Sequence, residues 1–149
     1  MTSTEFIEAV RARLDIGDRQ VRFDNHSRFD DRYDTVFIHY FNLPAGLGGA
    51  GGGAESENNR VMLAVNGFGR GKDEPAPGKV KVGLSICNLT NPHSSPGANY
   101  RERRWTMRAK TGTPEAIAAY VAAFLNKTAA EVPPHLTHTL RVHRAKGEV

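Results

Sequence analysis

The chain has 149 residues and a single cysteine, which suits one domain and excludes an internal disulfide framework. It has no apolar run long enough to span a bilayer and no signal-peptide pattern at its N-terminus, so we expect a cytoplasmic protein without a membrane partner. Residues 1–59 carry six Arg and ten Asp/Glu, a net charge of −4. Residues 60–149 carry fourteen Lys/Arg and six Asp/Glu, a net charge of +8. This asymmetry favours an anionic partner if the fold gathers the basic half on one surface.

An amphipathic helix is predicted at the N-terminus. Thr2 can cap it, and Glu5 stands three residues later, as in a capping box. Gly17 is expected to end it. The apolar residues of its first turns share one face, namely Phe6, Ile7, Val10 and Leu14.

Five strands are expected after this helix, from β-branched and aromatic content and from alternation. They are predicted at Gln20–Phe23, Thr35–Leu43, Arg60–Phe68, Lys79–Asn88 and Arg103–Thr111. Residues 44–59 between the second and third strands are rich in glycine and predict a flexible hairpin loop, because glycine loses much entropy on ordering and has no side chain to bury.

Both faces of the second strand are apolar, with Val36, Ile38 and Tyr40 on one side and Phe37, His39 and Phe41 on the other. The pattern indicates burial on both sides or an aromatic binding surface. The fourth strand alternates more strictly, with Val80, Val82, Leu84 and Ile86 on one side and Lys79, Lys81, Gly83 and Ser85 on the other. In the fifth, Trp105, Met107 and Ala109 alternate with polar residues, so both late strands are expected to pack one face and expose the other.

A second helix is predicted to start at Thr113-Pro114-Glu115, with a capping Thr, Pro in the first turn and an acid at the positive end of the helix dipole. Its core stripe is Ile117, Tyr120, Val121, Phe124 and Leu125, and Pro133-Pro134 would end it. The opposite side is expected to carry a smooth face made of Ala118, Ala119, Ala122 and Ala123.

The predicted fold is therefore α+β: a five-stranded, mainly antiparallel meander sheet with the N-terminal and C-terminal helices on one face. One domain is expected over residues 1–134. Residues 135–149 would form a basic tail that could add a short strand at Thr139–Val142. The other face of the sheet is left open.

Cations predict a binding surface on that open face. Adjacent late strands would place five of them together, at Lys79, Lys81, Arg104, Arg108 and Lys110. Two more would lie at the edge, Arg101 and Arg103, and two on a glycine-bearing turn, Arg70 and Lys72. Phe37, His39 and Phe41 would add aromatic rings if they share the same face. Cations for phosphates and rings for bases are what single-stranded nucleic acid needs on a sheet.

Other interpretations stay open. Strand Lys and Arg often only solvate an exposed face. A protein-interaction module is the main alternative: a chaperone-like or regulatory homodimer that pairs through the open face or the alanine face. A small enzyme for an anionic substrate would require His39, Arg104 and Arg108 to line one pocket. The sequence contains no recognisable catalytic constellation and no metal-ligand spacing, so we predict a non-enzymatic protein without cofactor or metal.

Overall fold

The computed structural model describes residues 1–16, 19–26, 33–44, 59–89 and 106–130. Its elements in chain order are α1 (Ser3–Arg13), β1 (Arg19–His26), β2 (Asp34–Pro44), β3 (Asn59–Phe68), β4 (Val80–Leu89), β5 (Lys110–Gly112) and α2 (Pro114–Ala130). All neighbouring strands pair antiparallel, in the spatial order β1-β2-β3-β4-β5. The predicted α+β meander is confirmed.

The capping box at the start of α1 forms as its sequence indicates. The Thr2 hydroxyl accepts a hydrogen bond from the Glu5 amide at 3.1 Å, and the Glu5 carboxylate accepts one from the Thr2 amide at 2.9 Å. These two bonds satisfy N–H groups that have no partner inside the helix. The helix ends at Arg13 and Leu14 is already extended, so it is shorter than the predicted boundary at Gly17.

The core lies on one side of the sheet. Alternate residues of the three central strands are 0–1 % exposed, namely Val36, Ile38, Tyr40, Val61, Leu63, Val65, Val80 and Val82. They form one cluster with buried residues of both helices, including Phe6, Val10, Ile117, Val121 and Leu125. Because both helices cover this side, we call it the inner face and the opposite side the outer face.

The capping of α2 is confirmed, but its alanines do not form the predicted single face. The Thr113 hydroxyl accepts from the Ala116 amide at 3.2 Å. Ala118 and Ala122 are buried in the core, whereas Ala119 and Ala123 are exposed. At 100° per residue, 118 and 122 fall beside the core stripe rather than opposite it.

Two strands differ from their predicted extent. The strand predicted at Gln20–Phe23 extends to His26. The strand predicted at Arg103–Thr111 is reduced to the three residues of β5. Residues 106–109 are not part of a strand, and residues 101–105 lie outside the described part of the chain. Most of the glycine-rich loop and the whole C-terminal tail also lie outside it.

The alternation of β4 is interrupted. The pairing of β3 with β4 shifts between Met62 and Leu63, so that Leu63 faces Leu84 while Met62 faces Ile86. Ser85 is the extra residue of this β-bulge, which reverses the phase of the alternation after it. The predicted series from Val80 to Ile86 therefore holds only as far as Leu84.

Candidate functional site

The outer face is built from cross-strand rows. Residues that face each other in antiparallel strands project on the same side of the sheet. One row joins Asp24, Phe37, Ala64 and Gly83. The next joins Thr35, Asn66, Lys81 and Thr111. Phe37 and Lys81 thus share the outer face, a point that the sequence had left open.

A third row contains an ionic cluster. It joins Arg22, His39 and Met62. The His39 Nε2 lies 2.9 Å from the Asp24 carboxylate, and the Arg22 Nε lies 3.5 Å from the same oxygen. His39 is only 6 % exposed although it lies opposite the helices. This end of the face therefore combines two basic side chains with an acid and is not uniformly cationic.

Among the described residues, little side-chain bulk lies at the centre of the outer face. Apart from the two adjacent residues, no atom of the described part of the chain lies within 4 Å of a Cβ built on Gly83, so the space above this residue is open there. Ala64, half-buried, is its neighbour on β3. Phe37 lies two strands from Gly83, roughly 10 Å away, and Lys81 lies roughly 7 Å along β4. We call these four residues the outer shelf: Phe37, Ala64, Lys81 and Gly83.

The chemistry of the outer shelf is simple. Phe37 offers a half-buried ring, and Lys81 offers an exposed ammonium group. Gly83 has no side chain and Ala64 has only a methyl group, so little bulk lies between Phe37 and Lys81. The arrangement can hold a flat group beside an anionic one, and it presents no nucleophile.

Lys110 does not join this surface, contrary to the sequence prediction. It pairs with Val82, which is fully buried under the helices, so Lys110 projects on the inner side at the sheet edge. Its Nζ lies 4.9 Å from the centre of the Tyr120 ring on α2. The prediction was wrong because it assumed one continuous strand with Lys110 in phase with the basic side of β4.

The other predicted basic residues are spread. Arg70, Lys72 and Lys79 are exposed around the turn between β3 and β4, next to the Lys81 end of the outer face. Arg108 has an exposed side chain, and its carbonyl accepts a 2.6 Å hydrogen bond from the Tyr120 hydroxyl, so its backbone lies against α2. The five-cation cluster is therefore not formed as predicted.

Four predicted site residues lie wholly or partly beyond what the structure describes. Arg101, Arg103 and Arg104 are outside the described residues. Phe41 is described only as a backbone position of β2 that pairs with Arg60. The small-enzyme alternative required Arg104 beside His39 and Arg108, and this grouping remains a prediction.

Sequence reasoning missed the contributions of Arg22, Asp24 and Gly83. The predicted strand ends at Phe23, although extending the alternation of Val21 and Phe23 places Arg22 and Asp24 together on the other side of β1. Gly83 is predicted on the polar side of its strand. The open space above it matters because Ala64 and Phe37 lie beside it on the neighbouring strands. Only the strand register supplies that information.

Within the described ranges, no group of three or more His, Cys, Asp or Glu side chains is placed to hold a metal ion. The helices in those ranges are too short or too polar to cross a membrane. Comparison with protein-family models, curated proteins and solved structures finds no match to the chain. Functional inference therefore depends on the geometry of the outer face.

Proposed function

We propose that the outer face binds single-stranded nucleic acid. The observation that carries this proposal is the outer shelf, where open space above Gly83 lies between the ring of Phe37 and the ammonium group of Lys81. A base stacked on an aromatic ring and a phosphate paired with a cation are the two contacts by which sheets hold single strands.

The charges around the shelf support an anionic ligand. Lys81 is exposed on β4, and Lys79 precedes it by two residues. Arg70 and Lys72 are exposed on the adjoining turn. Asp73 and Glu74 belong to the same turn and reduce its net charge, so we expect a few phosphate contacts and an affinity that depends on salt.

A single strand fits better than a duplex. The surface is a sheet face with a low floor, and both described helices lie on the opposite side. Duplex readers usually insert a helix or a two-stranded ribbon into the major groove. The shelf instead offers its ring to an unpaired base, which is exposed only in a single strand.

The test is a salt titration of binding. A fluorescent single-stranded oligonucleotide of about 10 nucleotides is titrated with protein, and the anisotropy gives the affinity at several salt concentrations. We expect Lys81→Gln to weaken binding and to lower the slope of log affinity against log salt by about 0.7, the value for one lost phosphate contact on a single strand. Lys127→Gln on the exposed side of α2 is the matched control, because it removes the same charge elsewhere.

Two outcomes contradict the proposal. One is a failure of the wild-type protein to bind either DNA or RNA single strands at low salt. The other is equal affinity for the Lys81→Gln and Lys127→Gln variants, because the cation on the outer shelf would then contribute nothing.

A protein-interaction module is the second candidate. The observation that favours it is the apolar content of the same face, where Phe37, Met62 and Ala64 are only half-buried. Apolar patches with a polar rim often pair with a second copy of the chain. Light scattering separates the two proposals: a tight homodimer that Gly83→Leu dissociates, together with no affinity for oligonucleotides, favours the interaction module.

A further inference from the structure

A small pocket lies beside the turn that joins β3 to β4. It has a volume of about 260 Å³ and is lined by Tyr33, Gly67, Pro77, Gly78 and Lys79. This volume is below the range of roughly 300–1,000 Å³ that is usual for pockets holding drug-sized ligands. The pocket therefore suits a ligand smaller than a typical drug-sized molecule.

Contacts from other parts of the chain hold this turn in place. The Asp34 carboxylate, in a residue 4 % exposed, accepts a 2.8 Å hydrogen bond from the Gly71 amide. The Ala76 amide donates to the Met1 carbonyl at 2.9 Å, and Thr2 forms a bridge with Pro75. The turn is fixed by the N-terminus on one side and by β2 on the other.

Close backbone packing adds to this rigidity. A Cβ on Gly69 would lie 2.7 Å from the Glu74 Cβ and would overlap the Pro75 carbonyl. Gly67, which lines the pocket, has φ +114° and its Cβ would lie 3.1 Å from the Lys79 carbonyl. Only glycine is tolerated at these two positions. The pocket walls are thus formed before any ligand binds, which lowers the entropy cost of binding.

The lining residues define the class of ligand. Tyr33 supplies an aromatic ring, Pro77 an apolar ring, and Lys79 an exposed ammonium group. A flat ring can pack against such surfaces while its anionic substituent pairs with the lysine. A nucleotide, in which a sugar joins the base to a phosphate, has both features.

We propose that this pocket binds one nucleotide, with the base against Tyr33 and Pro77 and the phosphate on Lys79. The choice of ligand rests on the proposed function, because Lys79 connects the pocket to Lys81 on the outer shelf, roughly 7 Å further along the chain. The pocket is the site for one base of the bound strand, and the shelf holds the next part of that strand.

The test uses free nucleoside monophosphates titrated into the full chain, with binding followed by NMR chemical shifts. Gly78→Leu adds bulk at a residue that lines the pocket, and no described atom outside the adjacent Pro77 and Lys79 lies within 4 Å of a Cβ at this position. We expect this variant to weaken mononucleotide binding by about tenfold or more. Ala123→Leu, which adds similar bulk at an exposed position of α2, should leave mononucleotide binding unchanged.

A second variant tests the phosphate contact without altering the shape of the pocket. In the wild-type protein, a nucleoside monophosphate should bind more tightly than its nucleoside, by about tenfold for one charge-assisted contact. Lys79→Gln should remove most of this difference while the affinity for the nucleoside persists. Thermal unfolding of each variant shows whether the fold is kept.

The outcomes separate the pocket from the proposed function. If mononucleotides do not bind the wild-type protein, or bind Gly78→Leu equally well, the pocket inference is overturned even when oligonucleotides bind. If mononucleotides bind and Gly78→Leu prevents it, the inference stands. A failure of oligonucleotides to bind in that case overturns the proposed function alone.

Discussion

The ammonium group of Lys110 lies 4.9 Å from the centre of the Tyr120 ring. The same tyrosine donates a 2.6 Å hydrogen bond from its hydroxyl to the Arg108 carbonyl. Tyr120 therefore anchors the segment that leads into β5 against α2. It also keeps the charge of Lys110 on the inner side of the sheet, away from the outer shelf.

Replacing Lys110 tests this assignment. Lys110→Gln removes a cation–π contact at an exposed site, so we expect the free energy of unfolding to fall by about 0.5–1 kcal/mol, measured in urea. The affinity for a single-stranded oligonucleotide should stay at the wild-type value, unlike that of Lys81→Gln. If Lys110→Gln lowers the salt dependence of binding as much as Lys81→Gln does, Lys110 belongs to the binding surface.

Blocking the outer shelf is a sharper test than removing a charge. Gly83→Leu places a side chain in the open space between Phe37 and Lys81. We expect oligonucleotide binding to be lost, because the Leu side chain would occupy the space above residue 83. Stability should be kept or slightly raised, since glycine is unfavourable inside a strand.

The control for this substitution adds the same kind of bulk elsewhere. Ala123→Leu enlarges an exposed side chain on α2, on the other side of the sheet from the shelf. It should leave binding unchanged. If anisotropy shows that Gly83→Leu binds the oligonucleotide as tightly as the wild type and this control do, the outer shelf is not part of the binding surface.

The sequence alone predicted the two helices and five strands and their order along the chain. The strict alternation around Val80 and Val82 predicted a strand with one packed face, and both residues are fully or almost fully buried. The capping residues Thr2 and Thr113 marked both helix starts to within a residue. These signals are local, because each depends on residues within a few positions along the chain.

The candidate site needed information that is not local. The face predicted for Lys110 is wrong because the phase of a short strand is set by its pairing, here with Val82. A shift of one residue moves every side chain to the other face. Phe37 could not be assigned because both faces of β2 are apolar. The bulge at Ser85 also follows from the pairing of two strands and from no local motif.

The capping box of α1 makes a specific prediction about pH. Hydrogen bonds from the Thr2 backbone and, to a smaller extent, from its side chain hold the pKa of Glu5 below its ordinary value of 4.5. A lowered pKa means that Glu5 stabilises the fold when it is ionised, above pH 4.5, and that this contribution is lost as the pH falls through the folded-state pKa.

Comparison with Glu5→Gln isolates this contribution. The wild-type protein should be more stable than the variant at pH 7, and the difference should shrink as the pH falls below 4.5. Urea unfolding at a series of pH values measures it. Glu8→Gln is the control, because Glu8 is outside the capping box on the same helix. A difference between the wild type and Glu5→Gln that stays constant down to pH 3 would show that the charge of Glu5 does not contribute.

The amide side chain of Asn126 joins α2 to the C-terminal end of α1. The Asn126 carbonyl oxygen accepts a 2.7 Å hydrogen bond from the Asp15 amide, and its NH₂ group donates to the Arg13 carbonyl at 3.0 Å. The last carbonyls of a helix have no partner within the helix, so Asn126 of α2 satisfies the C-terminal end of α1. The contact links residues more than 100 positions apart.

Asn126→Ala should lower the free energy of unfolding by about 1–3 kcal/mol, because it removes both hydrogen bonds and leaves the Arg13 carbonyl without its partner from α2. Lys127→Ala, which changes an exposed neighbour in the same turn of α2, is the control and should cost well under 1 kcal/mol.

Asn126→Asp keeps an acceptor for the Asp15 amide but loses the donor and brings a negative charge to the negative end of the α1 dipole. It should therefore be at least as destabilising as the alanine variant at pH 7, and should recover part of the loss when the new carboxylate is protonated. Equal stability of Asn126→Ala and Lys127→Ala would mean that solvent replaces both hydrogen bonds without cost, and that α1 is held to α2 by its apolar contacts alone.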